Sequence, residues 1–328
     1  MKLCQNIPLK HFKKFTHLNF TFVNFCTGFS KILICGGFDP TIKACEVIDL
    51  QSSATTCKDP PNLPATFWGG IGGLGFKEHP IICGGKQNDA ISNRCYSLEN
   101  NQWVSYFNMR SVRHTTAAAQ FRESKLVVTG GYNGLFVNTA EMLTQNGWDS
   151  SVPSLPVTIW SHCMVAVNST TVMVIGGDQK INDLGKTFYF TFGEESWIEG
   201  PELFFERLFP RCGRIRRDKD SQEMSIIYAG GENASVSSSV QILHVGSNEW
   251  QTGPELPFGI SASQMVEDPN GGVVLIGGYS KANPNLDTLY QLPHGGQDAV
   301  WTKMEKKLKS GRRLHTAFLV PDDIVDCS

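Results

Sequence analysis

The stretch ILICGG at residues 32–37 opens a series of six similar stretches, each a short apolar run that ends in Gly-Gly. The others read PIICGG (80–85), LVVTGG (126–131), VMVIGG (172–177), IIYAGG (226–231) and VVLIGG (273–278). Their first glycines are separated by 48, 46, 46, 54 and 47 residues. Because this interval is nearly constant over most of the chain, the sequence is an internal repeat of one structural unit.

Each unit is predicted to be β-structure, because its apolar runs are short and are bounded by Gly, Pro and Asn. Four runs fit into one unit: a strand often opened by histidine, the Gly-Gly strand, a middle strand and a strand that carries tryptophan. A four-stranded repeat of this period is typical of a β-propeller, in which each unit forms one blade. The sequence therefore predicts an all-β fold.

The recurring glycines and tryptophans are predicted to be structural. Glycine permits positive φ and a close backbone approach at the end of a strand, and tryptophan supplies a large apolar surface between blades. The glycines are Gly36, Gly37, Gly84, Gly85, Gly130, Gly131, Gly176, Gly177, Gly230, Gly231, Gly277 and Gly278. The tryptophans are Trp103, Trp148, Trp197, Trp250 and Trp301, and Cys57 stands at the equivalent place in the first unit.

The pattern resembles the kelch repeat over residues 30 to 325. The matching pieces are the Gly-Gly strand, a middle strand that begins with Glu46 or Glu141, the trailing tryptophan and the Arg or His opening. The resemblance implies a kelch-type β-propeller. We expect no companion BTB domain, because residues 1–29 are too short to form one. Kelch propellers have many roles, from ubiquitin-ligase adaptors to actin binding, so the fold alone does not determine the function.

The last part of the chain is expected to close the ring of blades. RRLHTAFLV (312–320) resembles a histidine-opened strand that has no Gly-Gly strand of its own. We expect it to complete the first blade, which gives six blades over residues 30–328 and removes free sheet edges. Residues 1–29 would be a poorly ordered N-terminal extension. Alternatively, FTFVNF (20–25) supplies the missing strand, and the C-terminus starts a partial seventh blade.

The cysteines bear on the cellular location. Cys35 and Cys45, like Cys83 and Cys95, would face each other across the hairpin that follows a Gly-Gly strand. Cross-strand Cβ atoms lie within about 5.5 Å of each other, which is near disulfide reach. The two pairs are candidate disulfides, and such bonds would indicate an extracellular protein. The alternative is a cytoplasmic protein with buried thiols, which is the default because no signal peptide is recognisable.

Composition and motifs argue against several classes of function. A net charge of −2 and a pI near 6.4 give no reason to expect a nucleic-acid partner, and no apolar run is long enough for a membrane span. His114, His162 and His315 are predicted to share one repeat position, yet hydrogen bonding within the structure is favoured over a metal site. We expect no catalytic residue, metal or cofactor; a propeller enzyme like galactose oxidase is the least favoured alternative.

A protein-binding role is the leading hypothesis, because variable loops on a rigid scaffold are the usual place for recognition. By resemblance to kelch propellers, the loops after Gly-Gly share one face with the loops before the histidine strands. Arginine and aromatic residues are enriched at binding hot spots, and the mixed charges suggest a polar, acidic peptide as ligand. The candidate binding residues are Phe38, Asp39, Lys86, Asn88, Arg110, Arg113, Tyr132, Asn133, Trp160, Asp178, Lys180, Arg211, Glu232, Tyr279, Lys281 and Arg312.

Two other kinds of partner remain open. The cysteines are also consistent with a secreted propeller in an extracellular or glycan-associated assembly. Family resemblance adds an adaptor role or a cytoskeletal partner such as actin.

Overall fold

The computed structural model describes residues 28–38, 42–52, 57–120, 125–178, 185–325 and 327. These residues form antiparallel β-sheets, with a short 3₁₀ turn at Phe76–Glu78. Six sheets of three or four strands carry the Gly-Gly stretches, and we number them 1 to 6 in that order. None of the described residues form a helix with the length and apolar character that a membrane crossing requires.

Within each sheet, neighbouring strands are joined by hydrogen bonds in a simple order. Sheet 1 contains β28 (Thr316–Val320), β1 (Lys31–Cys35) and β2 (Cys45–Asp49). Sheet 2 contains β4 (Ile71–Leu74), β5 (Pro80–Cys83), β8 (Cys95–Glu99) and β9 (Gln102–Tyr106). Sheet 3 contains β10 (Ala117–Gln120), β11 (Leu126–Thr129), β12 (Ala140–Thr144) and β13 (Gly147–Asp149). Sheet 4 contains β14 (Cys163–Ala166), β15 (Thr171–Ile175), β16 (Thr187–Thr191) and β17 (Ile198–Glu199).

Sheet 5 contains β18 (Arg211–Arg216), β19 (Met224–Ala229), β22 (Val240–His244) and β23 (Gln251–Thr252). Sheet 6 contains β24 (Gln264–Glu267), β25 (Val273–Ile276), β26 (Thr288–Leu292) and β27 (Thr302–Lys307). Two small sheets lie in loops: β3 (Phe67–Trp68) with β6 (Lys86–Gln87) and β7 (Ala90–Ile91), and β20 (Glu232–Asn233) with β21 (Ser235–Val236).

The two ends of the described chain meet in sheet 1. β28 pairs with β1 in antiparallel register, so that Lys31 lies opposite Val320 and Cys35 opposite Thr316. The stretch RRLHTAFLV thus contributes its strand to the first sheet, while the alternative strand at residues 20–25 lies outside the described residues.

The first strands of the six sheets contact one another in a closed order, from β4 through β10, β14, β18, β24 and β28 back to β4. A ring of six backbone hydrogen bonds, 2.6 to 3.2 Å long, joins the six residues that lie two positions before these strands. All six residues have positive φ, between 47° and 64°. We call them the axial ring: Gly69, Thr115, Ser161, Phe209, Ala262 and Leu314.

The Gly-Gly pairs connect neighbouring sheets. The second glycine of each pair donates its N–H to a carbonyl in the segment that leads into the next sheet, as Gly37 does to Phe67 and Gly278 to Arg312, both at 2.8 Å. A Cβ added at Gly36 would overlap the carbonyl oxygen of Phe67, and the φ of 68° disfavours other residues there. Glycine is therefore required by the close contact between sheets.

The core lies between adjacent sheets. One buried cluster contains Val127 of sheet 3 together with Val174 and Phe188 of sheet 4. The repeated tryptophans also link sheets, since each indole N–H donates to a backbone carbonyl about 40 to 50 residues earlier. Trp103, for example, donates to Pro61 at 2.8 Å. This arrangement agrees with a propeller, in which no blade buries both faces alone.

Odd and even sheets differ in a regular way. Sheets 1, 3 and 5 place an arginine two residues before the axial ring and a glutamate or glutamine on the middle strand. Sheets 2, 4 and 6 place an apolar residue and an aromatic residue at the same positions, after a Leu-Pro turn. The odd pairs are Arg312 with Glu46, Arg113 with Glu141 and Arg207 with Gln241; the even pairs are Phe67 with Tyr96, Ile159 with Phe188 and Ile260 with Tyr290.

Four disulfides lie in the described part of the chain. Cys35–Cys45 and Cys83–Cys95 confirm the two candidate bonds, with Cα atoms 4.1 Å apart in each. Two further bonds join Cys57 to Cys327, across 270 residues, and Cys163 to Cys212, on the first strands of sheets 4 and 5. Structural disulfides are typical of oxidising compartments, so the bonds indicate an extracellular or otherwise oxidising location and not the default cytoplasmic one.

Candidate binding site at the mouth of the axial channel

Six pairs of residues adjoin the axial ring at the end where the first strands begin. In each pair, the residue that follows a Gly-Gly doublet forms an antiparallel β-bridge with the residue that directly precedes an axial-ring residue in the chain. We call these twelve residues the mouth ring. The pairs are Phe38 with Arg313, Lys86 with Trp68, Tyr132 with His114, Asp178 with Trp160, Glu232 with Leu208 and Tyr279 with Ser261.

Aromatic side chains form a continuous arc along half of the mouth ring. Successive ring centroids are 5.2 to 5.9 Å apart, and most of the contacts are edge-to-face. This is a favourable geometry for aromatic pairs. The aromatic arc consists of Phe38, Trp68, His114, Tyr132, Phe136, Trp160 and Phe209.

Two cations lie against the same arc. The Lys86 ammonium is 5.1 Å from the Trp68 ring centroid, and the Arg313 guanidinium is 5.1 Å from Phe38 and 5.2 Å from Tyr279. All three distances fall within the range of cation–π attraction. Arg313 thereby connects the arc to Tyr279, and this side of the mouth is aromatic and basic.

His114 lies inside the arc and is uncharged at neutral pH. Burial, together with the nearby Lys86 ammonium, lowers the pKa of His114 to about 4. A neutral imidazole between Trp68 and Tyr132 behaves as another aromatic ring, and it leaves Lys86 and Arg313 as the charges of this side.

The side of the mouth beyond Trp160 is concave and mostly acidic. Asp178, Glu206 and Glu232 line a groove of about 1190 Å³, together with Arg207, Lys281, Phe258 and Tyr279. Burial and the charge of Asp178 raise the pKa of Glu206. The mouth therefore presents two unlike surfaces, an aromatic and basic arc and an acidic groove.

Seven of the candidate binding residues meet at the mouth. They are Phe38, Lys86, Tyr132, Trp160, Asp178, Glu232 and Tyr279. Lys281 lines the groove beside them. Asn88, Asn133 and Arg110 are exposed in nearby loops, where Asn88 bonds to Thr66. Asp39 and Lys180 lie outside the described residues.

Three predicted arginines do not lie on the surface. Arg113 and Arg312 are 0% and 2% exposed, because each forms an ion pair inside its own sheet and bonds the carbonyl of a first glycine. Arg211 lines the axial channel between the sheets. Arg113 and Arg312 hold the scaffold and Arg211 faces the channel, so the structure does not bring these three arginines to the mouth with the other candidates.

The predicted equivalence of the three histidines is wrong. Strand register places His162 and His315 opposite a first glycine, whereas His114 lies two residues earlier in its unit and bridges to Tyr132. His114 therefore belongs to the mouth ring, and the other two belong to the channel wall.

Several mouth residues were not among the candidates: Trp68, His114, Phe136, Phe209 and Arg313. The matching turns LPATFW (63–68) and LPVTIW (155–160) carry one signal, since they place Trp68 at the position of Trp160. Phe136 carries no such signal, because the loops after Gly-Gly differ in length between units. Phe209 stands at the axial-ring position, where the other five units have no aromatic residue.

Comparison with known proteins supports the fold. No protein-family model matches the chain, and neither does any curated protein. A solved structure titled "Structure of YjhT" superposes with a TM-score of 0.70 over 84% of this chain and 95% of that chain, at 15% sequence identity. Likeness at this identity shows the fold alone: the chain is an all-β protein with a β-propeller-like arrangement of sheets.

Proposed function

We propose that this chain is a six-bladed, kelch-type propeller that binds a partner protein through its mouth ring. The closed order of the six first strands and the axial ring supports the number of blades. The aromatic arc is the observation that carries the binding role, because aromatic and arginine side chains in one rigid patch are typical of interface hot spots. The role is that of a binding module without catalysis.

The ligand fits best as an extended, polar peptide segment with acidic residues. Lys86 and Arg313 would attract carboxylates to the aromatic side, and charge complementarity of this kind sets specificity and association rate. The acidic groove would receive a basic or amide group of the same segment. A peptide lying across the mouth could then contact both surfaces.

The test is a selection of peptides from a random display library on the purified chain with its disulfides intact. We expect enriched peptides to be acidic, and to lose at least tenfold in affinity on the double variant Tyr132→Ser, Trp160→Ser. Matched controls are Ile198→Ser and Val300→Ser, which alter residues 61% and 68% exposed away from the mouth. If the selected peptides bind the double variant with the same affinity as the wild type, the mouth ring is not the binding surface.

The disulfides favour a second candidate, a secreted propeller within an extracellular or glycan-associated assembly. Two Asn-x-Ser/Thr motifs for N-glycosylation lie in the described residues, at Asn168 and Asn233. Asn233 is exposed at the tip of the β20–β21 hairpin. Asn168 is only 4% exposed, and its Oδ1 accepts the N–H of Thr170. Protein from a secretory host should therefore carry a glycan at Asn233 and not at Asn168. Glycopeptide mass spectrometry checks this, and an unmodified Asn233 would count against the second candidate.

A further inference from the structure

The axial channel contains an unusual set of charges. It has a volume of about 370 Å³ and is lined by the first strands of all six sheets. Its titratable side chains are Arg211, Arg214, Glu267, His162 and His315. These residues lie behind the axial ring and belong neither to the mouth ring nor to the proposed peptide contact.

Only one of the two channel arginines has a counter-ion. Arg214 forms a bidentate pair with Glu267, at 2.9 Å from Nε to Oε1 and 2.6 Å from Nη2 to Oε2. No carboxylate of the described residues pairs with Arg211. With neutral histidines, the channel therefore carries one uncompensated positive charge.

Backbone carbonyls hold Arg211 in place but do not neutralise it. Its Nε donates to the carbonyl of Ser263, and its Nη1 donates to that of Pro210 at 2.7 Å. Burial alone lowers the pKa of Arg211 to about 10. Arg211 is half-buried in the channel. An unpaired charge that is largely removed from bulk water is costly, and such charges are normally paired or bound to an ion.

Polar atoms without protein partners lie on the same wall. Among the described residues, the Ser161 hydroxyl, Nδ1 of His162 and both ring nitrogens of His315 have no hydrogen-bond partner. All three residues line the channel and are less than 5% exposed. The charge of Arg211 acts on both imidazoles and helps to lower the pKa of each, after the larger effect of burial. The neutral imidazoles and the hydroxyl can each donate one hydrogen bond.

We propose that the axial channel binds a small monovalent anion, such as chloride, beside Arg211. The anion neutralises the single uncompensated charge and accepts hydrogen bonds from the Arg211 guanidinium, the Ser161 hydroxyl and the His315 imidazole. A monovalent ion matches the one net charge. Binding at this place fastens sheets 4, 5 and 1 together around the axis, since the three donors come from those sheets.

The first test measures the melting temperature while sodium gluconate is replaced by sodium chloride at constant ionic strength. The melting temperature of the wild-type protein should rise with the logarithm of the chloride concentration above Kd, by about 4 °C at one hundred times Kd. Arg211→Met should lose this rise, and it should melt no lower than wild type in gluconate because it buries no charge. Arg217→Met, which removes an exposed arginine paired with Glu223, should keep the rise. A wild type whose melting temperature does not rise with chloride would overturn the proposal, as would an Arg211→Met variant that keeps the rise.

A second measurement does not depend on the stability of a variant. Wild-type crystals grown in sodium bromide should show an anomalous scattering peak in the channel next to the Arg211 guanidinium. A channel without bromide, with peaks only at surface residues, would overturn the proposal.

Discussion

Arg113 and Glu141 form an ion pair inside sheet 3, with Nη2 2.7 Å from Oε1 and both side chains at most 3% exposed. Removing one partner leaves the other as a buried, unpaired charge, which costs about 3–5 kcal/mol. Arg113→Met should therefore lower the free energy of unfolding by about this amount, measured by chemical denaturation. The loss should exceed that of Glu141→Gln, because the arginine also bonds the carbonyls of Gly130 and Thr139.

The matched control removes an exposed arginine with the same chemistry. Arg217 pairs with Glu223 at 2.8 Å, but the two side chains are 46% and 66% exposed. Surface pairs contribute about 0–1 kcal/mol, so Arg217→Met should change stability little. Equal losses at the two arginines would show that burial of the Arg113 pair does not stabilise the sheet.

Sheet 5 offers the reverse experiment. Gln241 stands where Glu46 and Glu141 stand in the other odd sheets, and Nε and Nη2 of the buried Arg207 have no partner among the described residues. The Tyr228 ring, 4.9 Å from the guanidinium, faces this cation. Gln241→Glu should stabilise the protein by about 1.5–3 kcal/mol, the usual range for a hydrogen bond to a charged group.

The readout is the midpoint of chemical denaturation at pH 7, with an unchanged slope. The carboxylate can still accept the N–H of Phe204, as Gln241 Oε1 does at 2.9 Å. A destabilised Gln241→Glu variant would mean that the Tyr228 ring prevents the ion pair from forming. Arg207→Met on the Gln241→Glu background should abolish any gain.

Much of the fold could be predicted from the sequence, because the repeat fixes positions relative to one another. The Gly-Gly stretches and two of the disulfides follow from spacing alone, since cross-strand neighbours in a hairpin are determined by register. The axial ring could not be predicted in this way. Thr115, Ser161 and Leu314 have positive φ, and nothing in those residue types indicates a left-handed backbone.

The site was only partly predictable for a similar reason. Residues directly after Gly-Gly, such as Tyr132 and Tyr279, fall at one repeat position and therefore reach one face. Whether a side chain is buried depends on the neighbouring strands, and no repeat position in the sequence marks it. Arg113 and the exposed Arg110 look alike in the sequence, and both donate to the Glu141 carboxylate. Arg113 donates through its buried guanidinium, whereas Arg110 donates only through its backbone N–H.

The long-range disulfide should contribute more stability than a hairpin disulfide. Cys57–Cys327 closes a loop of 270 residues, whereas Cys35–Cys45 closes one of 10. Chain entropy in the unfolded state then differs by about 3 kcal/mol between the two bonds. Replacing Cys57 and Cys327 by alanine should lower the free energy of unfolding by that much more than the same change at Cys35 and Cys45.

The two double variants are well matched, because all four cysteines are at least half-buried and both bonds join antiparallel neighbours. Denaturation without reductant measures the difference, and mass spectrometry of protein with blocked thiols checks that the remaining bonds are intact. A larger loss at the hairpin bond would mean that packing in sheet 1, and not loop closure, determines the contribution.

Buried histidines should make the protein less stable in mild acid. Burial lowers the pKa of His162 to about 3, with smaller effects from Arg113 and Arg211, and the pKa of His114 is about 4. Both lie below the usual value near 6.5, so the unfolded chain binds protons that the folded chain does not as the pH falls from about 7 toward 4. Each histidine should cost about 2 kcal/mol of stability at pH 5 relative to pH 7.

The melting temperature measured between pH 7 and pH 5 tests this directly. His114, His162 and His315 all have lowered pKa values, so His162→Gln removes one of three such groups and should flatten the decline in stability by roughly a third of the histidine contribution. Thr129→Val is the control, because it removes the hydroxyl that lies 2.9 Å from Nε2 of His162 but keeps the imidazole. Thr129→Val should lower the melting temperature at pH 7, and its melting temperature should fall between pH 7 and pH 5 at least as steeply as that of the wild type. If His162→Gln declined as steeply as wild type, His162 would have to be protonated in the folded state, which requires an anion or carboxylate beside it in the channel.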